Sequence, residues 1–504
     1  MQTIAAIDVG SNAMRLVVGR VNYDGTLETL ENLRLPVRLG QDAFSLGQIG
    51  EETAQLATDA FVRFRKVADD YGVGTIRAVA TSAMREARNG DLLSDRIARA
   101  TGIEIETISG DEEARLIHLA VSHAVHLKDK HAMLIDIGGG SVEVTLSRGN
   151  NILSTESYNM GTVRLLQKLS GKPTKLPFIE LVREYAEATK RRIKREIGDS
   201  RIDLCVGTGG NIEEMGILRK KLFKRESDKA ITLEELEKLI SALGRLTVEE
   251  RMRKFKLKPD RADVILPASI VLKMIAQEAR AKEVRIPNVG LKDGILLDLA
   301  QSLGKASRPS PREQVWTSAM RLGEKYQFDS EHGNLVARLA GTLFDQTQSL
   351  HDLDHEDKML LEVAAFLHDI GHFINTVDHD KHAWYIMQAN PLIGLTKAQN
   401  EIVANVMRYH RKAMPGVQDE NFRALSSKDR LVVIKLSALL RLADAMDVSH
   451  KRRVKDVSMK QVRNRWLLKL EGEEGLSLET WALEKRRSLF QDVFGMKLEI
   501  EAQR

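Results

Sequence analysis

A single cysteine, Cys205, stands among 504 residues, so no disulfide can close within the chain. That count fits a reducing compartment. No run of about 18 apolar residues occurs, and such a run is what a membrane-spanning helix needs. Even the greasiest stretch, 432–448, carries Lys435, Arg441 and Asp444. The chain begins Met1-Gln-Thr-Ile and enters a strand-like segment with no charged leader or long apolar run, so no signal peptide is expected. These absences point to a cytoplasmic protein, with peripheral association at the inner membrane face still compatible. Signs of disorder are missing too, because a 43% hydrophobic and 29% charged composition is that of an ordinary globular protein. The net charge of +5 is slight for this length. Basic residues do cluster at 190–195 and 450–453. Each cluster reads first as a solvated face, and second as a track for an anionic ligand. At this length one core does not suffice, and several domains are expected.

What is present is an alternation. Segments 4–9, 15–21, 75–80 and 103–108 read as strands, and 51–71 and 110–124 as helices. The pattern then restarts with strands at 132–137, 142–147 and 152–158, a helix at 178–197, and a capping-box signature at Thr232 and Glu235. Alternation of this kind predicts an α/β architecture. A Gly, Ser and Pro-rich segment at 304–311 looks like a linker, after which 311–450 reads as helical. Weak strand signals return near 454–459, 466–470 and 496–500. Domain boundaries are therefore expected near 123, 304 and 452.

The strongest internal feature is a repeated turn. Ile7-Asp-Val-Gly-Ser-Asn and Ile135-Asp-Ile-Gly-Gly-Gly-Ser both join an apolar strand, an Asp and a small polar turn. Gly and Ser let backbone N–H groups converge on phosphate oxygens, because no Cβ blocks the approach. An Asp at the strand end suits Mg²⁺, which a polyphosphate needs for charge neutralisation. One such turn alone reads equally well as a tight hairpin; two, each heading its own α/β segment, argue for a phosphate cradle. A third turn, Val206-Gly-Thr-Gly-Gly-Asn211, follows a strand and opens a helix, whose N–H groups suit an anion.

This constellation resembles the actin-like (ribonuclease H-like) fold, with two domains around a cleft. Within it the chain resembles the exopolyphosphatase/guanosine pentaphosphate phosphohydrolase family, of the long four-domain type. The resemblance rests on DVGSNAMR (8–15), ATSAMREARN (80–89), SGDEEARL (109–116), DIGGGSVE (136–143), GTGGN (207–211) and GLKDG (290–294). It implies that Glu113 is the catalytic carboxylate that orients the attacking water, its neighbour Glu112 being the residue most easily confused with it. It implies that Asp136 and Glu143 hold Mg²⁺ and its waters, with Asp8 as a further metal contact, and that Gly138 stays bare for close phosphate approach. Ser11, Asn12, Gly139, Gly140, Ser141, Gly209, Gly210 and Asn211 become phosphate-binding positions. Arg15 and Arg85 become guanidinium partners for phosphate.

In the helical half His332, His368-Asp369 and Asp444, set in LHDIGH (367–372) and ALLRLADAMD (438–447), resemble an HD domain, where such residues converge on a divalent metal. His379, His382 and His410 lie nearby in sequence. A structural histidine cluster satisfies the sequence equally well. The preferred reading is that this half extends the substrate channel and forms a homodimer, with Arg411, Lys412 and the 450–453 cluster guiding a polyanion. A small α+β domain is expected after 452.

The activity implied is stepwise release of orthophosphate from inorganic polyphosphate. Hydrolysis of guanosine pentaphosphate to the tetraphosphate is the close alternative, and the basic stretches favour the polymer. A phosphotransferase shares the turns but lacks a reason for SGDEEAR. A non-catalytic actin-like module and an HD phosphohydrolase acting on nucleotides are weaker alternatives. No motif suggests specific nucleic-acid binding.

Overall fold

In a computed structural model the structure describes residues 2–22, 26–169, 176–198, 200–303, 311–411, 413–472 and 475–502. The chain falls into two compact units, Met1–Pro309 and Ser310–Arg504. Most of the linker expected at 304–311, and Lys412, lie outside the described residues.

The first unit holds two sheets. One runs β3-β2-β1-β4-β5, with β1 Gln2–Val9, β2 Met14–Val21, β3 Leu27–Leu35, β4 Thr75–Ala80 and β5 Ile105–Thr107. The other contains β6 His131–Ile137, β7 Val142–Arg148, β8 Asn151–Tyr158, β9 Leu204–Thr208, β10 Ala230–Thr232 and β11 Glu283–Arg285, in the order β10-β11-β9-β6-β7-β8. Both start with an antiparallel three-strand meander and continue by parallel pairing on the first strand, β1 with β4 and β6 with β9. The two Asp-x-Gly turns are the first hairpin of each sheet, as the actin-like resemblance implies.

The central strand β1 is buried on both faces, which is why it reads as an apolar run. With a side-chain period of two, Ala5 and Ile7 pack with Phe61 and Phe64 on one face. Ile4 and Ala6 pack on the other with Leu116, Ile295 and Leu296. Helix Leu291–Leu303 thus returns from late in the sequence to cover β1, β2 and helix Gly110–Ala124. It comes so close that a Cβ on Gly294 would collide with the Leu116 carbonyl. Strand β3 was not expected. Its leucines at 27, 30 and 33 are three apart, and a bulge opposite Val18 and Gly19 absorbs the mismatch by leaving Leu30 unpaired in the register. The strand expected at 103–108 is shorter, Ile105–Thr107.

The second unit is helical from Pro311 to Ala445, with most of its core between helices Ser330–Gln346, His355–Leu367, Lys397–Arg408 and Ser427–Ala445. Side chains of Asp329, Asp354, Thr396 and Ser426 cap the four N-termini. The three weak strand signals become β12 Val454–Val462, β13 Arg465–Gly472 and β14 Lys497–Ala502, with two helices between the last pair. Among the described residues no helix is long and apolar enough to cross a membrane.

Candidate active site

The two hairpins have identical register. Asp8 faces Arg15 across β1 and β2, and Asp136 faces Glu143 across β6 and β7. Each turn is closed the same way, by Gly10 N–H to Ala13 O at 3.2 Å and Gly138 N–H to Ser141 O at 3.1 Å. The repeat differs in charge at one position, and this sets the chemistry. Arg15 Nη1 bonds Asp8 Oδ2 at 3.0 Å, so the first hairpin presents a near-neutral pair. The second presents two carboxylates.

Glu113 joins them. It sits in the first turn of helix Gly110–Ala124, whose N-cap Ser109 accepts from Glu112 N–H. Ligand oxygens of Glu113, Asp136 and Glu143 lie within 4.8 Å of one another. Thr208 Oγ1 donates to Asp136 Oδ1 at 2.6 Å, and Ser157 Oγ to Glu143 Oε1 at 2.8 Å. Glu113 Oε2 and Glu143 Oε2 are buried without a partner. Burial, then the neighbouring carboxylates, lift the Glu113 carboxyl well above its usual range. Burial pushes Asp136 up to about 6 and Glu143 up to about 7. Three close carboxylates with unused oxygens could hold a cation by the chemistry of their donors, and oxygen ligands suit a hard ion such as Mg²⁺.

Glu112 points elsewhere. It pairs with Arg115 at 2.7 Å and Arg77 at 3.5 Å, and both arginines also bind Asp298. The two adjacent glutamates are therefore separated by the helix itself, one in an ion-pair lattice and one in the cleft.

The second turn is held from behind by helix Thr162–Leu169. Gly161 N–H bonds Gly140 O at 3.2 Å, Thr162 N–H bonds Gly138 O at 3.0 Å, and Val163 N–H bonds Gly139 O at 2.9 Å. Arg164 Nε adds a bond to Gly140 O at 2.6 Å. With its carbonyls so engaged, the turn offers the cleft its N–H edge. Ser11, Gly138, Gly139, Ser141, Gly209 and Gly210 line that cleft. At Gly138 a Cβ would meet only Ser141 O, at 3.2 Å, so the space a side chain would fill is the cleft. Gly209 has φ +98° and lies against Ile137 O, a position that requires glycine.

Other expected positions carry different work. The side chain of Asn12 is spent on structure, donating to Asp260 O at 3.0 Å and accepting from Arg38 Nε at 3.0 Å. Arg85 is exposed and donates to Ile108 O at 2.5 Å; it is not among the residues lining the cleft, although its charge lowers Glu113 and Glu143. Gly140 is buried under Ser82 and Phe44. Asp8 lines the cleft but stays bound to Arg15, outside the three-carboxylate group. Two residues escaped the sequence reading. Arg261 donates to Asn211 Oδ1 at 3.1 Å, and burial, then Arg15, pull its guanidinium down to about 10. A Cβ on Gly210 would collide with Arg261 and crowd Arg15, so two guanidinium groups converge on this bare backbone position. Lys292, inside GLKDG, also lines the cleft.

The raised carboxyls fix a sign for stability. Their folded-state values lie above the unfolded ones, so they favour the fold below the unfolded range, near pH 4, and that contribution is lost as pH rises through about 6 and 7. In chelator, the melting temperature should fall between about pH 5.5 and about pH 8, and Mg²⁺ should restore more of it at the upper end. Glu143→Gln should flatten the slope. A metal-free melting temperature that is level across this range in the wild type would contradict the assignment.

In the second unit the four HD-type residues do come together: His332, His368, Asp369 and Asp444 lie with ligand atoms 3.3–3.8 Å apart. His379 and His410 join this neighbourhood through Asp369, whereas His382 belongs to no such group among the described residues.

Paired Asp-headed turns facing a carboxylate cluster and converging cations define a hydrolase of phosphoanhydrides. The profile of the Ppx/GppA phosphatase family matches residues 17–303, and that of Ppx/GppA phosphatase, domain III, matches 316–488. The chain belongs to the Ppx/GppA phosphatase family. It is 28% identical over 453 residues to a guanosine-5'-triphosphate,3'-diphosphate pyrophosphatase of Vibrio vulnificus, covering 89% of this chain and 87% of that protein. A protein of the same name from Photobacterium profundum is 25% identical over 440 residues, 87% and 85% of the two chains. Among solved structures, an exopolyphosphatase from Cytophaga hutchinsonii superposes with TM-score 0.57 at 26% identity, over 61% of this chain and all of that one. An Aquifex aeolicus family member gives 0.52 at 24% identity, over 60% and 99%, and supports the fold.

Proposed function

We propose that the chain removes the terminal phosphate of a phosphoanhydride chain by direct attack of water, and that guanosine pentaphosphate is its favoured substrate. The observation that carries the reaction type is Glu113, buried with a free Oε2 beside Asp136 and Glu143. Glu113 orients the attacking water and takes its proton, while the N–H edges of the two turns and the cations Arg15, Arg261 and Lys292 bind phosphate oxygens. Asp136 and Glu143 hold Mg²⁺, which when bound neutralises phosphate charge and keeps the three carboxylates ionised. Asp8 tethers Arg15.

Support for the nucleotide comes from the relatives, which match nearly the full length and bear a guanosine pyrophosphatase name. The polymer, preferred on sequence, loses part of its argument here. Lys190 pairs with Glu278 and Arg192 with Glu156, and Arg452 pairs with Glu331, so these stretches are partly neutralised on their own surfaces. Inorganic polyphosphate stays as the second reading because the Cytophaga hutchinsonii structure carries an exopolyphosphatase name. The homodimer belongs to this reading as well, and light scattering on the full chain tests it. Phosphate release from guanosine pentaphosphate and from long-chain polyphosphate, compared as kcat/KM, decides between the substrates. The expected result is a higher value for the nucleotide; release from neither sinks the proposal.

A further inference from the structure

Helix Pro259–Ala262 delivers Arg261 to the cleft, yet a helix of four residues has little hold on its own shape. It is tied on both flanks of that arginine. Arg251 is buried and donates from Nη1 to Ala262 O at 3.1 Å and from Nε to Leu243 O at 3.0 Å. From the opposite side come three residues of the first sheet and its connections. Asn12 Nδ2 donates to Asp260 O at 3.0 Å, and Arg34 of β3 pairs with the Asp260 carboxylate. Arg38, at the head of helix Leu39–Leu46, grips Asp263 with a fork, Nη1 to Oδ2 at 2.9 Å and Nη2 to Oδ1 at 2.8 Å. Its Nε bonds Asn12 Oδ1 at 3.0 Å. The Asn12 amide is thus used at both ends, its oxygen toward a guanidinium and its nitrogen toward a carbonyl.

Such ties matter because the place where Arg261 stands repels it. Arg15 and Arg34 lie directly opposite each other on β2 and β3, and like charges so placed are unfavourable. Arg261 is a third guanidinium in the same neighbourhood. Burial, then Arg15 and Arg34, hold it down at about 10, and Asp260 and Glu213 offset only part of this. Its bond to Asn211 Oδ1 is one contact with a neutral amide, set against two cations. Fixing the backbone on either side of Arg261 restricts where its side chain can reach, and so keeps it in the cleft.

We propose that Arg38 is a positioning residue for phosphate binding. Through Asn12 and Asp263 it joins the first Asp-headed turn to the segment that bears Arg261, and so sets that guanidinium against Arg15 ahead of the substrate. The inference rests on the reading above that Arg261 binds phosphate oxygens. The repulsion between the two cations is met by the fold, so an arriving anion gains both attractions without first moving either charge. The Arg38–Asp263 pair is 27% and 24% exposed, so its contribution to stability is slight, whereas its two parallel bonds fix direction as well as distance.

The test is a double-mutant cycle in affinity, on the full chain carrying Glu113→Gln so that nothing turns over. The probe is inorganic tripolyphosphate with Mg²⁺, and calorimetry reads Kd. Arg261→Ala should weaken binding about 30-fold, the size of a lost charge-assisted bond to an anion. Arg38→Ala should weaken it about tenfold, and in the Arg261→Ala background it should change Kd by less than about twofold. A merely structural role would cost the same factor in both backgrounds. Asp263→Asn should copy Arg38→Ala. Thermal melts check each fold; should Arg38→Ala not fold, Arg38→Lys, which keeps the charge and loses the fork, takes its place with the same expected pattern. Losses from Arg38→Ala and Arg261→Ala that multiply, or no loss from Arg38→Ala, overturn the positioning role and leave the phosphate reading intact. No loss from Arg261→Ala, or no binding of tripolyphosphate by the parent, overturns that reading and this one with it.

Discussion

Glu113→Gln should lower kcat about 10³-fold while KM changes little, the size expected when a positioned base is lost and binding is kept. The amide fills the same space and can still point at the water, but it accepts no proton. Glu113 makes no hydrogen bond through Oε2, so no structural partner is lost. Burial holds its carboxyl well above the usual range, so the folded protein gives up some unfavourable charge in the variant and its melting temperature should not fall. Glu112→Gln is the matched control, one residue away. It weakens the contacts with Arg115 and Arg77, which should lower stability by about 1 kcal/mol per partly buried pair and leave kcat within a small factor. Equal losses of kcat in the two variants would remove Glu113 from the chemistry. Phosphate release under saturating substrate, with thermal melts alongside, separates these outcomes.

Gly161→Ala should cost about 10²-fold in kcat/KM, although Gly161 touches neither carboxylate nor cleft. A Cβ there would fall on the backbone of Gly139, Gly140 and Ser141, and backbone cannot swing aside as a flexible side chain can. Either the second turn moves or the helix behind it does. In both cases the bonds from Gly161, Thr162 and Val163 to the turn carbonyls are disturbed. Overpacking of this kind costs about 1–3 kcal/mol, and the kinetic penalty comes from the displaced N–H edge. Gly74→Ala, where the nearest atom is Thr3 O at 3.9 Å, should change neither activity nor stability. Unchanged kcat/KM in Gly161→Ala would mean that the turn does not need its carbonyls held.

What could be read along the chain was what the chain encodes locally. Asp8, Asp136 and their turns, the glutamate pair at 112–113, the capping box at Thr232 and the helical second unit all depend on residues within a few positions of one another. The missed features are long-range. Asn12 is tied to Asp260, 248 residues away, and no local pattern announces that bond. Arg261 looks like any helix arginine until folding lays it beside Arg15. Gly161 looks like a loop glycine until the turn is packed against it. Three of the four HD-type residues, His368, Asp369 and Asp444, were visible because they sit in two compact motifs; that His372, His379, His410 and His450 share one carboxylate with them required three-dimensional placement. Arg85 shows the other side of this, since a motif position does not reveal that one of its N–H groups goes to the Ile108 carbonyl.

Helix Leu291–Leu303 also governs the order of events at the ribosome. One face of β1, with Ile4 and Ala6, and Val17 of β2 are covered by Leu291, Ile295 and Leu296. During synthesis at about 5–20 residues per second, that face stays only partly covered, by Leu116 and its helix, for tens of seconds after its strands have emerged. The nascent N-terminal sheet is therefore a client for a chaperone for longer than its own length would suggest. A fragment ending before residue 291 would carry the same greasy face permanently, and should be recovered from inclusion bodies rather than from the soluble fraction.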